Sequence, residues 1–192
     1  GSSFNIGEQS KLSVFATASF ENGYSLKTGS QRIVGNTNDN IIQDFYAVNK
    51  FGYETKTTGM LNLAYKINPK HNIKINSVFV NSSKSDVNEY DFFNENDSPS
   101  FTRQTITEQN QLFVNQLLGN HKITDRLVFD WGGSFGIVNS DMPDRITNTL
   151  LESSGGFVFN TNTATENNRY FQGLEEKEMA AKAVVSYNLF KK

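Results

Sequence analysis

The sequence predicts an all-β chain, an antiparallel meander of about six long strands that forms part of a transmembrane β-barrel. Its strand-like segments are joined unevenly. Segments 67–71 and 121–126 are short joints, whereas the other connections are the long polar stretches 21–52, 83–103 and 141–177. Soluble sheets use short loops at both ends. Short turns on one rim and long loops on the other are typical of an outer-membrane barrel.

The second observation is the alternation of apolar and polar residues, which predicts strands because successive side chains leave opposite faces of a sheet. The predicted strands, in chain order, are 11–20, 53–66, 72–82, 104–121, 127–139 and 179–190. Strands of about 10 to 18 residues exceed the usual soluble length. They also reach the roughly 9 to 11 residues that a tilted transmembrane strand needs.

The faces of the individual strands can be assigned from this alternation. The first strand groups Leu12, Val14, Ala16, Ala18 and Phe20. The second groups Gly59, Leu61, Leu63 and Tyr65. In the long fourth strand, Gly119-Asn120 is interpreted as a bulge or a bend into the turn. The fifth sets Leu127, Phe129, Trp131, Phe135 and Ile137 against Asp130, Gly132, Ser134 and Gly136. The sixth sets Met179, Ala181, Ala183, Val185, Tyr187 and Leu189 against Lys182, Ser186 and Asn188.

Composition narrows the function classes. A net charge of −2 indicates no nucleic-acid partner, and the absence of cysteine excludes disulfides and thiolate metal sites. Sixteen Phe and seven Tyr accompany a mean hydropathy of −0.50, which suits a barrel but also a soluble β-sandwich. No apolar run reaches the roughly 18 residues of a spanning helix, and no signal peptide opens the chain. If the barrel interpretation holds, the missing signal points to a fragment, so residues 1–192 are predicted to be a partial barrel, and Gly1–Ser3 fit either native chain or a tag remnant.

Aromatic residues gather near the short joints. Tyr and Trp favour the lipid headgroup level, so Tyr65, Phe129, Tyr187 and Phe190 are interpreted as an interfacial girdle. The alternative is that aromatics favour any strand. The residues predicted to face lipid are Leu127, Phe129, Trp131, Val185 and Tyr187.

Nothing in the sequence favours catalysis, and no catalytic, cofactor-binding or metal residue is predicted. The only two histidines, His71 and His121, both lie at short joints and are interpreted as turn residues. A shared metal site would need them close together, with a carboxylate. No phosphate loop or nucleophile elbow is present.

Two stretches supply candidate cargo contacts. Stretch 86–97 is acidic and could offer oxygen ligands to calcium, but it matches no EF-hand loop and is interpreted as a solvated loop. Its aromatics suggest a contact surface. In Met142-Pro143-Asp144-Arg145, the proline is expected to end the strand, and the adjacent carboxylate and guanidinium to form a local ion pair, with substrate binding as the alternative. The candidate cargo-contact residues are Tyr90, Asp91, Phe92, Phe93, Asp144 and Arg145.

Several segments resemble the barrels of TonB-dependent outer-membrane receptors of the Bacteroidetes type. They are Asn110-Gln111-Leu112-Phe113-Val114-Asn115-Gln116-Leu117-Leu118-Gly119-Asn120-His121-Lys122, Asp125-Arg126-Leu127, Asp130-Trp131-Gly132, Met142-Pro143-Asp144-Arg145, Thr57-Thr58-Gly59-Met60-Leu61-Asn62 and Asn167-Asn168-Arg169-Tyr170-Phe171. The resemblance implies an importer in the bacterial outer membrane, with about 22 strands around a plug. Residues 1–192 depart from this family pattern, because the plug domain and the TonB-binding segment are both absent from them. The resemblance implies as partners the outer-membrane lipid, the remainder of the barrel and its plug, TonB through segments missing from this chain, and, in some relatives, a surface lipoprotein.

Two other classes stay open. A passive or structural outer-membrane barrel would use the same strands. A soluble β-sandwich binding module would instead fold without detergent, around a core between two sheets.

Overall fold

A computed structural model describes residues 1–35, 41–94, 98–161 and 166–189. Within these ranges the regular structure consists entirely of strands. The eight strands are β1 (Ser2–Ile6), β2 (Ser10–Val34), β3 (Ile41–Asn68), β4 (His71–Phe93), β5 (Pro99–Lys122), β6 (Leu127–Ser153), β7 (Gly156–Phe159) and β8 (Asn167–Tyr187).

The strands form one antiparallel sheet that follows chain order from β1 to β6, and both β7 and β8 pair with β6. This confirms the predicted meander. The sheet is open within the described residues, since β8 pairs only with β6 and β1 only with β2. The short turns after β3 and β5 lie on one rim, as the sequence predicts.

The strands are much longer than the sequence predicts. β2, β3 and β6 contain 25, 28 and 27 residues, so most of the three stretches predicted to be long loops is strand. The strands β1 and β7 were not predicted. β4, for example, runs on past Ser82 and stays in register with β5 as far as Phe93 and Pro99. Backbone pairing with both neighbours supports a strand even where polar side chains cover both of its faces. The predicted end of the last strand, with Phe190, and residues 95–97 of the acidic stretch lie outside the described residues.

Two local predictions are wrong. The ladder passes through Gly119 and Asn120 without a register shift, so no bulge lies there. Pro143 does not end its strand. Instead β6 continues past it through a bulge, where the register shifts between Met142 and Arg145. A bulge leaves a residue outside the ladder, and proline, which has no N–H to donate, is tolerated there.

The register fixes two faces. The belt face carries Leu63, Ile75, Leu117, Gly133 and Ala181, one residue from each of five neighbouring strands. The amide face carries Asn62, Asn76, Gln116, Ser134 and Ala180 on the same strands. Val48 is the only buried hydrophobic residue in the part of the chain that the structure describes. The sheet is therefore a single layer, with no second sheet packed on either face among these residues.

Candidate functional site

The belt face bears a mostly apolar band beside the short-turn rim, interrupted by Ser77, Asn115 and the two histidines. Its rows follow the register, and one of them joins Leu61, Ser77, Asn115, Phe135 and Met179. All five residues predicted to face lipid lie on this face, because Leu127 pairs with Tyr187, Phe129 pairs with Val185, and Trp131 alternates with them along β6. Val185 and Tyr187 are 66% and 56% exposed, so protein does not cover them.

The apolar band ends abruptly. Its last row joins Gly59, Phe79, Phe113 and Ile137. The next row on the same face joins Thr57, Asn81, Gln111 and Asn139. These four strands therefore change from apolar to polar at one level. We call the rows from Leu127 to Ile137 the apolar belt.

The amide face is polar at the same height. Asn62 donates through its Nδ2 to Asn76 Oδ1 at 2.8 Å, and Asn76 donates in turn to Gln116 Oε1 at 3.4 Å. A second ladder nearer the rim runs from Asn72 through Asn120 to Asp130. These side chains hydrogen-bond to one another across neighbouring strands, so the face presents amide groups in a fixed orientation.

An apolar island interrupts the amide face beyond these ladders. It consists of Met60, Val78, Val80, Leu112, Val114 and Val138, which are paired across four strands. Beyond it, Ser140 donates to Asn110 Oδ1 at 2.6 Å. Farther along, Lys84 Nζ lies 2.5 Å from Asp86 Oδ2. The hydrogen bond to Asp86 raises the pKa of Lys84, although partial burial opposes the shift.

An aromatic cluster lies on the amide face toward the long hairpins. The ring of Phe45 meets those of Tyr90 and Phe92 edge-on, with centroids 5.5 and 5.6 Å apart. The Lys50 ammonium lies 5.6 Å from the Tyr90 ring centre, and the buried Val48 pairs with Tyr90. We call Phe45, Lys50, Tyr90 and Phe92 the aromatic cluster. Sequence analysis missed Phe45 and Lys50, because they approach Tyr90 only through the β3–β4 register.

The structure separates the predicted cargo contacts. Tyr90 and Phe92 share the amide face, whereas Asp91 and Phe93 point from the belt face. Phe93 packs instead against Tyr46, with ring centroids 5.1 Å apart. Partial burial raises the pKa of the Asp91 carboxyl, and the charge of Glu89 adds to that rise.

The expected local pair of Asp144 and Arg145 does not form. The register places Asp144 on the belt face and Arg145 on the amide face. Asp144 binds Arg169 of β8 with two hydrogen bonds of 2.8 and 2.9 Å, and this contact raises the pKa of Arg169. The Nε of Arg145 is buried and lacks a hydrogen-bond partner among the described residues.

The two histidines meet at the short-turn rim, which their distance in sequence does not predict. His71 pairs with His121 across β4 and β5, and their Nδ1 atoms are 3.1 Å apart. Trp131 Nε1 donates to His121 Nε2 at 2.9 Å. The indole lies over Gly119, since a Cβ added at Gly119 would come within 2.2 Å of it. We call His71, His121, Trp131 and Gly119 the rim cluster.

Within the described ranges, no three His, Cys, Asp or Glu residues are grouped so that they could hold a metal ion. Over the same residues, no helix has the length and apolar character to cross a membrane. No known protein-family model matches the chain, and no curated protein sequence matches it significantly.

Proposed function

We propose that this chain is a wall segment of a TonB-dependent receptor that imports a nutrient across the bacterial outer membrane. The observation that carries the proposal is the apolar belt, whose residues are exposed or half-buried on one face and which ends at one level on β3, β4, β5 and β6. Water-soluble proteins rarely leave a contiguous apolar surface of this extent exposed. A bilayer would cover it.

The dimensions of the belt support this. From Leu127 to Ile137 the strand advances ten residues, about 34 Å at ~3.4 Å per residue. With the usual barrel tilt of ~35–45°, that length corresponds to a height of about 24–28 Å, close to the ~25 Å apolar band of outer-membrane barrels. In this orientation the short turns face the periplasm and the long hairpins extend outside the cell.

The amide face then lines the lumen. Its ladders offer hydrogen-bonding groups to water or to a plug, as expected of a polar barrel interior. The apolar island would contact a packed protein surface there, which favours a plugged lumen over a purely aqueous one. We therefore prefer an importer, whose lumen holds a plug, to a passive pore, whose lumen is filled with water. Finding a plug domain encoded upstream would support the preference, and its absence would favour the passive barrel.

The open edges of the sheet require further strands as partners. The outer edge of β8, from Asn167 to Tyr187, has no strand paired with it among the described residues. Unpaired backbone groups cannot lie in a bilayer without partners, so other strands of the same barrel would satisfy them. TonB would engage segments beyond this chain, and a surface lipoprotein is a candidate partner at the long hairpins.

Cargo would bind at the aromatic cluster. Three rings and one ammonium group on the lumen side form an amphipathic surface at the mouth. Tyr90 and Phe92 are the two predicted cargo contacts that point there. Arg145, also on the amide face, brings a guanidinium to the same side of the sheet.

Thiol accessibility tests the membrane assignment directly, because the native chain has no cysteine. Ala180 and Ala181 are adjacent and point to opposite faces. In vesicles, Ala180→Cys should react with a water-soluble maleimide and Ala181→Cys should be protected. Equal labelling of the two folded variants would contradict a lipid-covered belt. Energy-dependent uptake by the full receptor, lost when the TonB-binding segment is deleted, would then test import itself.

A further inference from the structure

We propose that His71 and His121 form a chelate for one divalent transition-metal ion at the short-turn rim. Both rings project from the belt face of neighbouring strands, and each is half-buried. Their ring centroids are 5.2 Å apart, with planes inclined at 44°, and their Nδ1 atoms lie 3.1 Å apart.

This separation suits a bound ion. Imidazole nitrogens bind such ions at about 2.0–2.1 Å, so two of them lie about 2.9 Å apart at a right angle and about 3.4 Å apart at a tetrahedral angle. The observed 3.1 Å falls between these values. The β4–β5 ladder runs without a register shift from its hairpin end to this pair. The strands therefore hold both ligands in place before an ion arrives.

The neighbouring indole controls the protonation of the pair. Because Trp131 donates to Nε2 of His121, the proton of that neutral ring lies on Nδ1, from which it donates to His71 Nδ1. A bound ion needs the lone pairs of both Nδ1 atoms. The His121 proton must then move to Nε2, which leaves the ring neutral and removes the acceptor of Trp131. Ion binding and the indole hydrogen bond therefore exclude each other.

The ligand chemistry indicates which ion is favoured. Two imidazoles suit copper, nickel and zinc, and among first-row divalent ions copper binds most tightly. No third ligand of the His, Cys, Asp or Glu type joins them among the described residues, so water would occupy the remaining positions. The proposal requires only the register of β4 with β5 and does not depend on the outer-membrane assignment.

Trp131 is the only tryptophan and provides the measurement. Its ring centroid lies 6.3 Å from that of His121, so a paramagnetic ion bound to the pair should quench its emission. The chelator-treated 192-residue chain, first shown by circular dichroism to be folded in detergent micelles, is titrated with copper(II) chloride in a non-coordinating buffer. We expect saturation at one ion per chain, reversal by EDTA, and an electron paramagnetic resonance spectrum with coupling to two nitrogens.

Variants separate this site from adventitious binding. His71→Gln and His121→Gln each convert a chelate to a single ligand and should weaken binding about a hundredfold. Trp131→Phe removes the competing donor, and calorimetry should show affinity at least equal to that of the native chain. Circular dichroism confirms that each variant folds.

Quenching unchanged in either folded histidine variant would overturn the proposal. So would a stoichiometry above one ion per chain with no two-nitrogen coupling, which means an adventitious ion only. The spectrum of the native chain decides the matter even if a variant fails to fold. Because vesicle labelling at Ala180 and Ala181 is independent of copper, failure of the metal site and failure of the membrane assignment are distinguishable.

Discussion

Placing a charge at the centre of the apolar belt should be far more damaging than placing it one residue away. Ala181 pairs with Gly133 at mid-height of the belt, and Ala180 pairs with Ser134 on the amide face. Both alanines are exposed on the same strand, and neither has a polar side chain to lose. The substitutions Ala181→Arg and Ala180→Arg therefore differ only in the face that receives the guanidinium.

The structure sets the expected magnitude. An arginine on the lipid face of a barrel costs about 2–4 kcal/mol at the bilayer midplane and about 0–1 kcal/mol near the interfaces. Ala181→Arg should therefore lower the folding equilibrium constant about 30- to 700-fold, and Ala180→Arg should change it little. Trp131 is also near mid-height, but its replacement breaks the rim cluster as well. Val185 pairs with Phe129 nearer the rim, so Val185→Arg should cost only about 1 kcal/mol.

Reversible urea unfolding of the complete barrel from vesicles, followed by tryptophan emission, measures these free energies. The native chain and the three variants share lipid, pH and protein concentration. The reasoning fails if Ala180→Arg costs as much as Ala181→Arg. It also fails if Val185→Arg destabilises the protein more than Ala181→Arg, because the free-energy cost of a charge should increase with its depth in the bilayer.

Further outcomes concern the rim and the ionisable groups. Gly119→Ala should force the indole of Trp131 aside, at a cost of about 1–3 kcal/mol, and change its emission; an unchanged spectrum would contradict the close contact. Because the folded pKa of Asp91 is raised by burial, ionisation opposes folding as pH rises past the ordinary value near ~3.9. Asp91→Asn should therefore stabilise the chain relative to native at pH 7 but not in acid, as denaturant midpoints would show. The contribution of Asp125 to stability depends on pH in the opposite direction to that of Asp91, because its hydrogen bond to Lys122 lowers its pKa. The small stability loss from Asp125→Asn should be present at pH 7, decline as pH falls below the ordinary carboxyl pKa, and vanish below the lowered folded pKa. A loss that persists at still lower pH would refute it.

The assignment of faces could be predicted because alternation is a local property. In the fifth predicted strand, the order from Leu127 to Ile137 determines which side chains share a face wherever the strand ends. The register confirms that grouping across β6 and β8.

Strand length could not be predicted in the same way. Beyond the belt, both faces of β4 carry polar residues, and a stretch such as 83–91 has the composition of a loop. What makes it a strand is backbone pairing with β3 and β5, which composition does not encode. Pro143 misled for a related reason, because a bulge accommodates it within the strand.

The site was only partly predictable because it depends on contacts between distant segments. Tyr90 and Phe92 could be selected as aromatic residues in a polar stretch, but their separation from Asp91 required the strand geometry. The meeting of His71 with His121 follows from the register of the whole β4–β5 hairpin. Only the contact of Trp131 with Gly119 in the rim cluster had a signal in the sequence, since aromatic rings often cover glycines on neighbouring strands.

The paired strands beyond the belt would lower the entropic cost of any binding at the aromatic cluster. From Phe79 to Phe93, β4 advances fourteen residues, about 48 Å at ~3.4 Å per residue. Hydrogen-bonded neighbours flank it along this stretch, so the rings at its far end are already ordered. A ligand that docks there need not freeze a flexible loop, a penalty of about 1–2 kcal/mol for each backbone residue fixed. Preorganisation of this kind lets a modest contact area yield useful affinity.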